Sequence, residues 1–237
     1  MRELERVLVE ETRLLGLAIG PEELDLFRRY YELLVGWAER VNLTAAREER
    51  EIAARHLADS LAGLLVLRGK DLRLVDVGSG AGFPGLVLKI MRPSWQVTLL
   101  EASRKKCAFL REAAARLGLT GVTVVWGRAE DAGRAPEHRG AFAGAVARGV
   151  AELRVLLEYG LPLVARGGLF VAYKGERAAE EVAGAKRALA VLGGEVRELV
   201  TYTLGGGRKG TLVVVEKVGE TPAAYPRRPG VPARRPL

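Results

Sequence analysis

The sequence predicts an α/β fold, in which a Rossmann-like, mainly parallel sheet ends in an antiparallel pair of strands and follows a helical N-terminal extension. From residue 72 onward, short apolar runs alternate with amphipathic segments, which is the pattern of βαβ units. A glycine-rich turn joins the first of these apolar runs to the next amphipathic segment. Near the C-terminus, two β-rich runs are separated only by a short glycine-rich loop.

The first 68 residues are predicted to be helical. Apolar residues recur at helical spacing from Leu4 to Leu15, and the pair Gly20-Pro21 marks the start of a second helix. A third helix is predicted from a cap at Thr44 to about Leu67. We therefore expect a helical cap over residues 1–68. The second helix carries one apolar face, formed by Leu24, Phe27, Tyr31, Leu34 and Trp37.

The central region is predicted to form the sheet, and residues 69–218 are expected to be its core domain. Five strands are predicted at Leu72–Val77, Gln96–Glu101, Val122–Trp126, Ala143–Ala147 and Leu169–Tyr173. Helices are predicted at about 84–92, 103–117, 150–165 and 176–193. The runs 195–204 and 211–218 are joined by a short loop, so they are predicted to pair as antiparallel strands.

Composition limits the classes of function. A hydrophobic content of 49% with 28% charged residues is typical of a soluble globular protein. No apolar run approaches the roughly 18 residues that cross a bilayer, and the N-terminus lacks the pattern of a signal peptide. A single cysteine, Cys107, allows no disulfide within the chain. We expect a cytoplasmic, monomeric protein with no membrane contact.

The charge pattern indicates a polyanionic partner. The net charge is +8, and Lys and Arg exceed Asp and Glu in the core and tail but not in the cap. Such an excess favours nucleic acid, because Lys and Arg displace counterions from phosphates. The tail, residues 219–237, holds five prolines, so we expect an extended arm that forms no helix.

The stretch "LRLVDVGSGAGFPGLVLKI", residues 72–90, matches two ligand-binding patterns. Gly80–Gly85 fits G-x-G-x-x-G, which is typical of dinucleotide sites, and Asp76–Gly82 fits D-x-G-x-G-x-G, which is typical of S-adenosylmethionine sites. In both, glycines let backbone N–H groups approach the ligand closely. Pro84 is expected at the first position of the next helix.

Two features favour S-adenosylmethionine over a dinucleotide. Asp76 precedes the turn, where a carboxylate can face the ammonium group of S-adenosylmethionine through water. Nicotinamide dinucleotides have no ammonium group. The terminal antiparallel pair is the second, since a dinucleotide fold usually continues with parallel strands. Glu101 suits ribose hydroxyls of either ligand, and Glu130 is placed for the adenine amino group. We therefore predict a class I S-adenosylmethionine-dependent methyltransferase sheet.

The absence of two catalytic motifs narrows the choice of methyl acceptor. After the fourth strand the chain reads "ARGVAE", without the [D/N/S]-P-P-Y motif of amino-group methyltransferases. Cys107 lies within a predicted helix, unlike the loop nucleophile of cytosine-C5 enzymes. A ring nitrogen or a 2′-hydroxyl remains as acceptor. A ring nitrogen with an in-plane lone pair needs no general base, so alignment with the methyl group is sufficient.

Several blocks together carry a family resemblance. They are "NLTAAREEREIAARHLADSL", "LVDVGSGAGFPGLVLKI", "VTLLEASRKKCAFLREAAARLGL", "WGRAED" and "ARGVAEL", supported by "GGLFVAYKG" and "YPRRPGVPARRPL". From about residue 22 to its end, the chain resembles the glucose-inhibited division protein B family of bacterial 16S rRNA guanine-N7 methyltransferases. The resemblance implies transfer of a methyl group from S-adenosylmethionine to a guanine in the 530-loop region, near the decoding site. The partner would be 16S rRNA or the 30S subunit.

The turn and the resemblance together predict a cofactor site. The resemblance implies that Phe83 lies along the cofactor, Glu101 holds the ribose, and Arg148 faces the methionine end or the incoming base. No catalytic base is predicted. The predicted cofactor residues are Asp76, Gly78, Gly80, Phe83, Glu101, Ala102, Ser103, Ala129, Glu130 and Arg148.

Substrate RNA is predicted to contact basic residues and part of the cap. His56, Asp59 and Ser60 stand at helical spacing, and a structural network that anchors the cap is the alternative. The basic start of the helix after Glu101 is either a phosphate contact or a solvated helix end. No metal site is predicted. The candidate RNA residues are His56, Asp59, Ser60, Lys105, Arg208, Lys209, Arg227, Arg228, Arg234 and Arg235.

Two positions depart from the family pattern. Gly149 replaces the first alanine of the Ala-Val-Ala that commonly follows the arginine, and Gly210-Thr211 replace an Arg-His pair before the last strand. Arg208 and Lys209 lie just upstream and are expected to supply that charge. Two other classes of function stay open: an NAD(P)-dependent oxidoreductase, and a non-catalytic RNA-binding factor.

Overall fold

A computed structural model describes residues 2–38, 40–46 and 48–237, and it confirms the predicted α/β fold. In this part of the chain a seven-stranded sheet has the order β3-β2-β1-β4-β5-β7-β6. The strands are β1 Arg73–Val77, β2 Gln96–Glu101, β3 Val122–Trp126, β4 Phe142–Arg148, β5 Val164–Lys174, β6 Gly194–Leu204 and β7 Arg208–Lys217.

Pairing directions follow from the connections. Strands β1 to β5 pair in parallel, because a helical segment returns the chain to the same edge between each pair of them. Strand β7 pairs antiparallel with both β5 and β6, so it lies between them. The central strands are buried on both faces, which explains their continuous apolar sequence. The predicted antiparallel pair is confirmed.

Helices cover both faces of the sheet, and two of the predicted helices end or break before the predicted last residue. The predicted helix 150–165 ends at Gly160, because Pro162 in the following 3₁₀ turn cannot donate a helical hydrogen bond. The predicted helix 176–193 is broken at Ala185. The helices are α1 Glu3–Leu14, α2 Pro21–Ala38, α3 Glu49–Ile52, α4 Asp59–Leu61, α5 Gly85–Met91, α6 Arg104–Arg116, α7 Ala129–Ala132, α8 Leu153–Gly160, α9 Ala178–Gly184, α10 Lys186–Leu192 and α11 Val231–Arg234.

The third helix of the cap differs most from its prediction. Thr44 is not its cap, because the helix begins at Glu49 and the Thr44 hydroxyl instead accepts from the backbone of Ala46. A π-helical segment, Ala53–Ala58, joins α3 to α4, and a 3₁₀ turn follows. A period of 3.6 residues does not describe a π-helix, in which hydrogen bonds span five residues.

The cap packs directly on the sheet. Leu8 of α1 and Phe27 of α2 belong to the same buried apolar cluster as Leu88 of α5 and Val214 of β7. The cap therefore covers one face of the sheet and brings the π-helical segment to the carboxyl end of β4. No helix of the described ranges is both long and apolar enough to cross a membrane.

The C-terminal arm lies on the core, but the prediction that it forms no helix is wrong. Residues Val231–Arg234 form one helical turn, with Pro232 in the first turn, where its missing N–H leaves no bond unmade. The Arg139 guanidinium holds the arm by donating to the carbonyls of Thr221 at 2.6 Å and Tyr225 at 2.8 Å.

Candidate cofactor and substrate site

Polar side chains converge where the parallel strands end. Asp76 is next to last in β1, Glu101 ends β2, Trp126 ends β3, and Arg148 ends β4. Because these strands are parallel neighbours, their carboxyl ends meet at one edge of the sheet. Open α/β sheets bind their ligands at this edge.

The glycine-rich turn is shaped by backbone hydrogen bonds to β2. The N–H groups of Gly78 and Ser79 donate to the Leu100 carbonyl at 2.8 and 3.1 Å. Gly78 and Gly80 have φ angles of +73° and +57°, a region that favours glycine. A Cβ on Gly78 would lie 2.7 Å from Val150 of the loop after β4, so this turn needs glycine for space as well.

Glu101 links the turn to the start of α6. Its Oε2 accepts from the Gly80 N–H at 2.9 Å, and its Oε1 accepts from the Ser103 N–H at 2.7 Å. The side chain is mostly buried. Two backbone donors therefore fix the carboxylate at the edge of the sheet, and each oxygen keeps lone-pair capacity for a further donor.

Asp76 is the most deeply buried acid of the site. Its Oδ2 accepts from the Gly85 N–H at 2.9 Å, whereas its Oδ1 is buried and has no partner within the described residues. Burial raises the pKa of Asp76 to about 7. A cationic donor near Oδ1 would satisfy this atom and favour the charged carboxylate.

A cavity of about 240 Å³ opens between these strand ends and the arm. Glu130 borders it, is buried, and accepts from the Gly230 N–H of the arm at 2.9 Å. Of the predicted cofactor residues, Gly78, Ala102, Ala129 and Glu130 line this cavity. Its other lining residues are Val77, Leu100, Gly127, Arg128, Val150, Ala151, Tyr159 and Ala233. We call Asp76, Glu101 and Glu130 the acidic side of the site.

Arg148 is the centre of a second group of side chains. Its Nη1 donates to Asp59 Oδ2 at 2.7 Å and to the Arg55 carbonyl at 3.1 Å. Tyr202 of β6 donates to the other Asp59 oxygen at 2.6 Å. We call His56, Asp59, Phe83, Arg148 and Tyr202 the arginine cluster.

His56 is neutral in this cluster. Its Nδ1 lies 3.1 Å from Arg148 Nη2, and a guanidinium can only donate, so Nδ1 accepts. The ring proton is then on Nε2, which donates to the Thr44 hydroxyl at 2.8 Å. Burial, followed by the positive charge of Arg148, lowers the pKa of His56 to about 4. Both ring nitrogens are therefore engaged, and the ring is uncharged near neutral pH.

Phe83 connects the turn to the arginine cluster. The His56 ring stacks on it with centroids 4.9 Å apart and planes 5° apart, and the Arg148 guanidinium lies 5.3 Å from its centre. Phe83 is buried under these groups and is not one of the residues that line the cavity. The structure thus brings His56 and Asp59 together with Arg148, as the predicted anchoring network requires.

The other candidate RNA residues divide into engaged and exposed side chains. Ser60 is fully buried and donates to the His56 carbonyl at 2.5 Å, so it cannot contact RNA in this conformation. Arg227 is held by the buried Glu158, with Nη2 and Oε2 2.6 Å apart, and Arg208 is paired with Glu11. The exposed candidates are Lys105, Lys209, Arg228, Arg234 and Arg235.

Sequence reasoning missed several residues of the site. Tyr202 lies outside the blocks that carry the family resemblance, and Val150 lies in one of them, "ARGVAEL", which indicates no role for it. Only the fold brings both residues to the edge of the sheet. Trp126 stands directly before the cavity-lining Gly127, and its position in the block "WGRAED" was the available signal. Among the described residues, no group of three or more His, Cys, Asp or Glu side chains could hold a metal ion.

Comparison with solved structures gives the fold. Geranyl diphosphate C-methyltransferase from Streptomyces coelicolor has a TM-score of 0.52 at 14% identity, covering 85% of this chain and 100% of that one. TYW2 of P. horikoshii has a TM-score of 0.54 at 14% identity, covering 68% and 62%. At 14% identity these likenesses show the fold alone, and this fold is the class I methyltransferase sheet that the sequence predicts.

Comparison of sequences gives the family. The profile of the GidB family, described as rRNA small subunit methyltransferase G, matches residues 23–208. The ribosomal RNA small subunit methyltransferase G of Pelotomaculum thermopropionicum is 47% identical over 239 residues and covers 100% of both chains. That of Roseiflexus castenholzii is 49% identical and covers 94% of this chain and 95% of its own. The chain belongs to the GidB family, which confirms the resemblance.

Proposed function

We propose that this protein transfers the methyl group of S-adenosylmethionine to N7 of a guanine in 16S rRNA, in the 530-loop region near the decoding site. Family membership supports methylation of small-subunit rRNA. The observation that carries the proposal is one sheet edge with acids on one side and a restrained arginine on the other. This arrangement suits a cationic cofactor and an acceptor that needs no base.

The acidic side suits the donors of the cofactor. S-adenosylmethionine presents an ammonium, a ribose diol and an adenine amino group, and it supplies an activated methyl group when bound. We assign the ammonium to Asp76, directly or through water, because the Oδ1 of Asp76 is buried without a partner in the described part of the chain. Glu101 is assigned to the ribose, and Ala129 and Glu130 to the adenine. Gly78, Gly80, Ala102 and Ser103 place backbone near the cofactor.

The arginine cluster suits an acceptor without a general base. Guanine N7 attacks with its own lone pair, and His56 is in any case neutral with both ring nitrogens engaged. Methyl transfer moves positive charge from the sulfonium to the purine. Pairing with Asp59 offsets the charge of Arg148, so the cluster adds little repulsion at that moment.

Arg148 is proposed to position the guanine. Three of its hydrogen bonds go to Arg55, Asp59 and His56, which hold the guanidinium in place. A guanidinium has five N–H donors, so it keeps donors for the O6 oxygen of guanine. In this role Arg148 orients the base and leaves N7 free for attack.

The acceptor must lie outside a regular helix. N7 faces the major groove, which is too deep and narrow in A-form RNA for protein side chains. The guanine is therefore unpaired or extruded toward the cofactor. We propose that the exposed Lys105, Lys209, Arg228, Arg234 and Arg235 contact phosphates of 16S rRNA or of the 30S subunit, and that the protein acts as a cytoplasmic monomer.

The test uses methyl-labelled S-adenosylmethionine with 30S subunits and 16S rRNA that lack the modification. Label is expected at a single guanine, where borohydride reduction followed by aniline cleaves the chain at N7-methylguanosine. Label at a position that resists this cleavage would contradict N7 as acceptor. Binding of the rRNA without any transfer would instead support a non-catalytic RNA-binding factor.

A further inference from the structure

Trp126, the last residue of β3, is an exposed aromatic side chain beside the site. It is 58% exposed, and the other aromatic residues in the described part of the chain are buried or partly buried. Single exposed apolar side chains are common, so the neighbours of the ring decide whether it is a binding site. The position of the ring and its neighbours indicate what binds there.

The indole is held in place from two directions. Its Nε1 donates to the Ala102 carbonyl at 3.0 Å, across the gap between β3 and the loop after β2. The guanidinium of Arg104, the first residue of α6, lies over the ring at 5.7 Å from its centre. A ring fixed in this way loses little conformational freedom when a flat partner stacks on it.

The ring is next to the cavity. Trp126 pairs with Glu101 across the parallel ladder, so the two backbones are about 4.8 Å apart. The residues that follow Trp126, Gly127 and Arg128, line the cavity. Trp126 therefore stands at the β3 edge of the site, whereas Arg148 stands three strands away at the end of β4, with β2 and β1 between them.

The surroundings of the ring are basic. Arg104 lies over the ring, Lys105 follows it in α6, and Arg128 is two residues after Trp126. All three are exposed, and no acidic side chain pairs with any of them in the described residues. An aromatic face combined with cations is the arrangement by which proteins bind single-stranded nucleic acid, because bases stack on the ring while phosphates meet the cations.

We propose that Trp126, with Arg104, Lys105 and Arg128, is a stacking platform for an unpaired nucleotide that flanks the target guanine. The proposal rests on the proposed function, since extrusion of one guanine leaves its neighbours without their stacking partner. The platform takes a flanking base and not the target, because the target must reach the arginine cluster three strands away. Stacking depends on the base face, so the platform is tolerant of base identity.

The test compares Trp126→Ala, Trp126→Phe and the control Leu199→Ala, an exposed apolar residue on β6 at the opposite edge of the sheet. For Trp126→Ala, KM for unmodified 30S subunits and Kd for a short single-stranded oligoadenylate are expected to rise roughly fivefold to a hundredfold. Trp126→Phe keeps a stacking face and is expected to stay within about threefold of the wild type. The Kd for S-adenosylhomocysteine is expected to be unchanged in all three variants.

Fluorescence supplies a readout that does not depend on activity. Oligoadenylate is expected to quench the emission of the wild type, because Trp126 is the most exposed of the three tryptophans, whereas Trp95 is fully buried and Trp37 packs against the core. In Trp126→Phe this quenching is expected to disappear while oligoadenylate still binds. Quenching that persists in Trp126→Phe would overturn the proposal. An unchanged KM and Kd in Trp126→Ala, with a wild type that methylates 30S subunits, would also overturn it. A wild type that transfers no methyl group would instead refute the proposed function.

Discussion

The acidic side and the arginine cluster are adjacent, but different contacts hold them. On the acidic side, the carboxylates of Glu101 and Glu130 are held by backbone N–H groups. In the arginine cluster, side chains of distant elements hold one another: Arg148 contacts Asp59 across 89 residues of sequence, and Tyr202 contacts Asp59 across 143. From this difference we propose that the turn determines cofactor affinity and that the side-chain network determines the methyl-transfer step.

The largest effect is expected in the arm, which completes the acidic side through Gly230. In Arg227→Ala, the free energy of unfolding is expected to fall by about 3–5 kcal/mol, because the buried carboxylate of Glu158 loses the guanidinium that neutralises it and keeps only the backbone N–H of residue 227. Chemical denaturation measures it. The control is the exposed neighbour Arg228→Ala, with a change within about 0.5 kcal/mol. Arg228→Ala is expected instead to lower the salt slope of rRNA binding by about one. Equal stability losses in the two variants would contradict this assignment.

Arg148→Ala separates the two regions most sharply. We expect kcat to fall by about 100- to 1,000-fold, since the variant loses the donor to the base and leaves Asp59 without its cation. The Kd for S-adenosylhomocysteine is expected to stay within about threefold, and single-turnover transfer with calorimetry checks both. Arg154→Ala, which removes an exposed pair with Glu152, is the control. A large loss of cofactor affinity in Arg148→Ala would break the distinction between the regions.

Glu101→Ala is expected to weaken cofactor binding, the property that Arg148→Ala is expected to leave nearly unchanged. The affinity for S-adenosylhomocysteine is expected to fall about 100-fold, because the ribose loses its acceptor and the N–H groups of Gly80 and Ser103 lose theirs. Calorimetric titration measures the change. Glu112→Ala, which removes an acid from the surface of α6, is the matched control and should bind normally. Normal binding by Glu101→Ala would show that the carboxylate does not hold the cofactor.

A smaller effect is expected for Tyr202→Phe. Loss of its hydroxyl removes one hydrogen bond to Asp59, so kcat is expected to fall about tenfold with unchanged cofactor affinity. Tyr173→Phe is the matched control, because it loses a buried hydrogen bond to the Ser60 carbonyl without touching Asp59. Its stability should fall while kcat stays near that of the wild type. Equal kcat values for the two variants would argue against the positioning role of Tyr202.

The smallest expected effect is the pH dependence of cofactor affinity. The pKa of Asp76 is raised to about 7 by burial, so the folded protein holds a proton there at pH 6 that the unfolded chain would release. An ammonium binds the charged carboxylate, so the affinity for S-adenosylhomocysteine is expected to rise several-fold from about pH 6 to about pH 7.5. Asp76→Asn should bind more weakly and lose this dependence. A wild-type affinity that is flat across this range would contradict the assignment of the ammonium to Asp76.

The acidic side was predictable because its residues lie within or next to short motifs. The turn, Glu101 and Glu130 follow from the ends of strands, and the antiparallel pair follows from the short loop before β7. Polar residues at the carboxyl ends of neighbouring parallel strands lie at the same edge of the sheet, and this does not depend on where the helices begin and end.

The arginine cluster was only partly predictable. His56 and Asp59 could be grouped by helical spacing, but their contact with Arg148 requires the cap to be docked on the sheet. The π-helical segment and the role of Thr44 were missed because both depend on tertiary contacts. Nor did the proline content of the arm reveal that Arg139 and Glu158 hold it on the core. Long-range side-chain contacts leave no local pattern in the sequence.

The most direct test of the central claim replaces the reacting atom. 30S subunits are reconstituted with 16S rRNA in which 7-deazaguanosine replaces guanosine, so that a C–H group stands where N7 was. We expect the enzyme to bind these subunits with affinity close to that for normal subunits and to transfer no methyl group to them. Undiminished transfer to the substituted rRNA would contradict N7 as the acceptor and would redirect attention to an amino group or a 2′-hydroxyl.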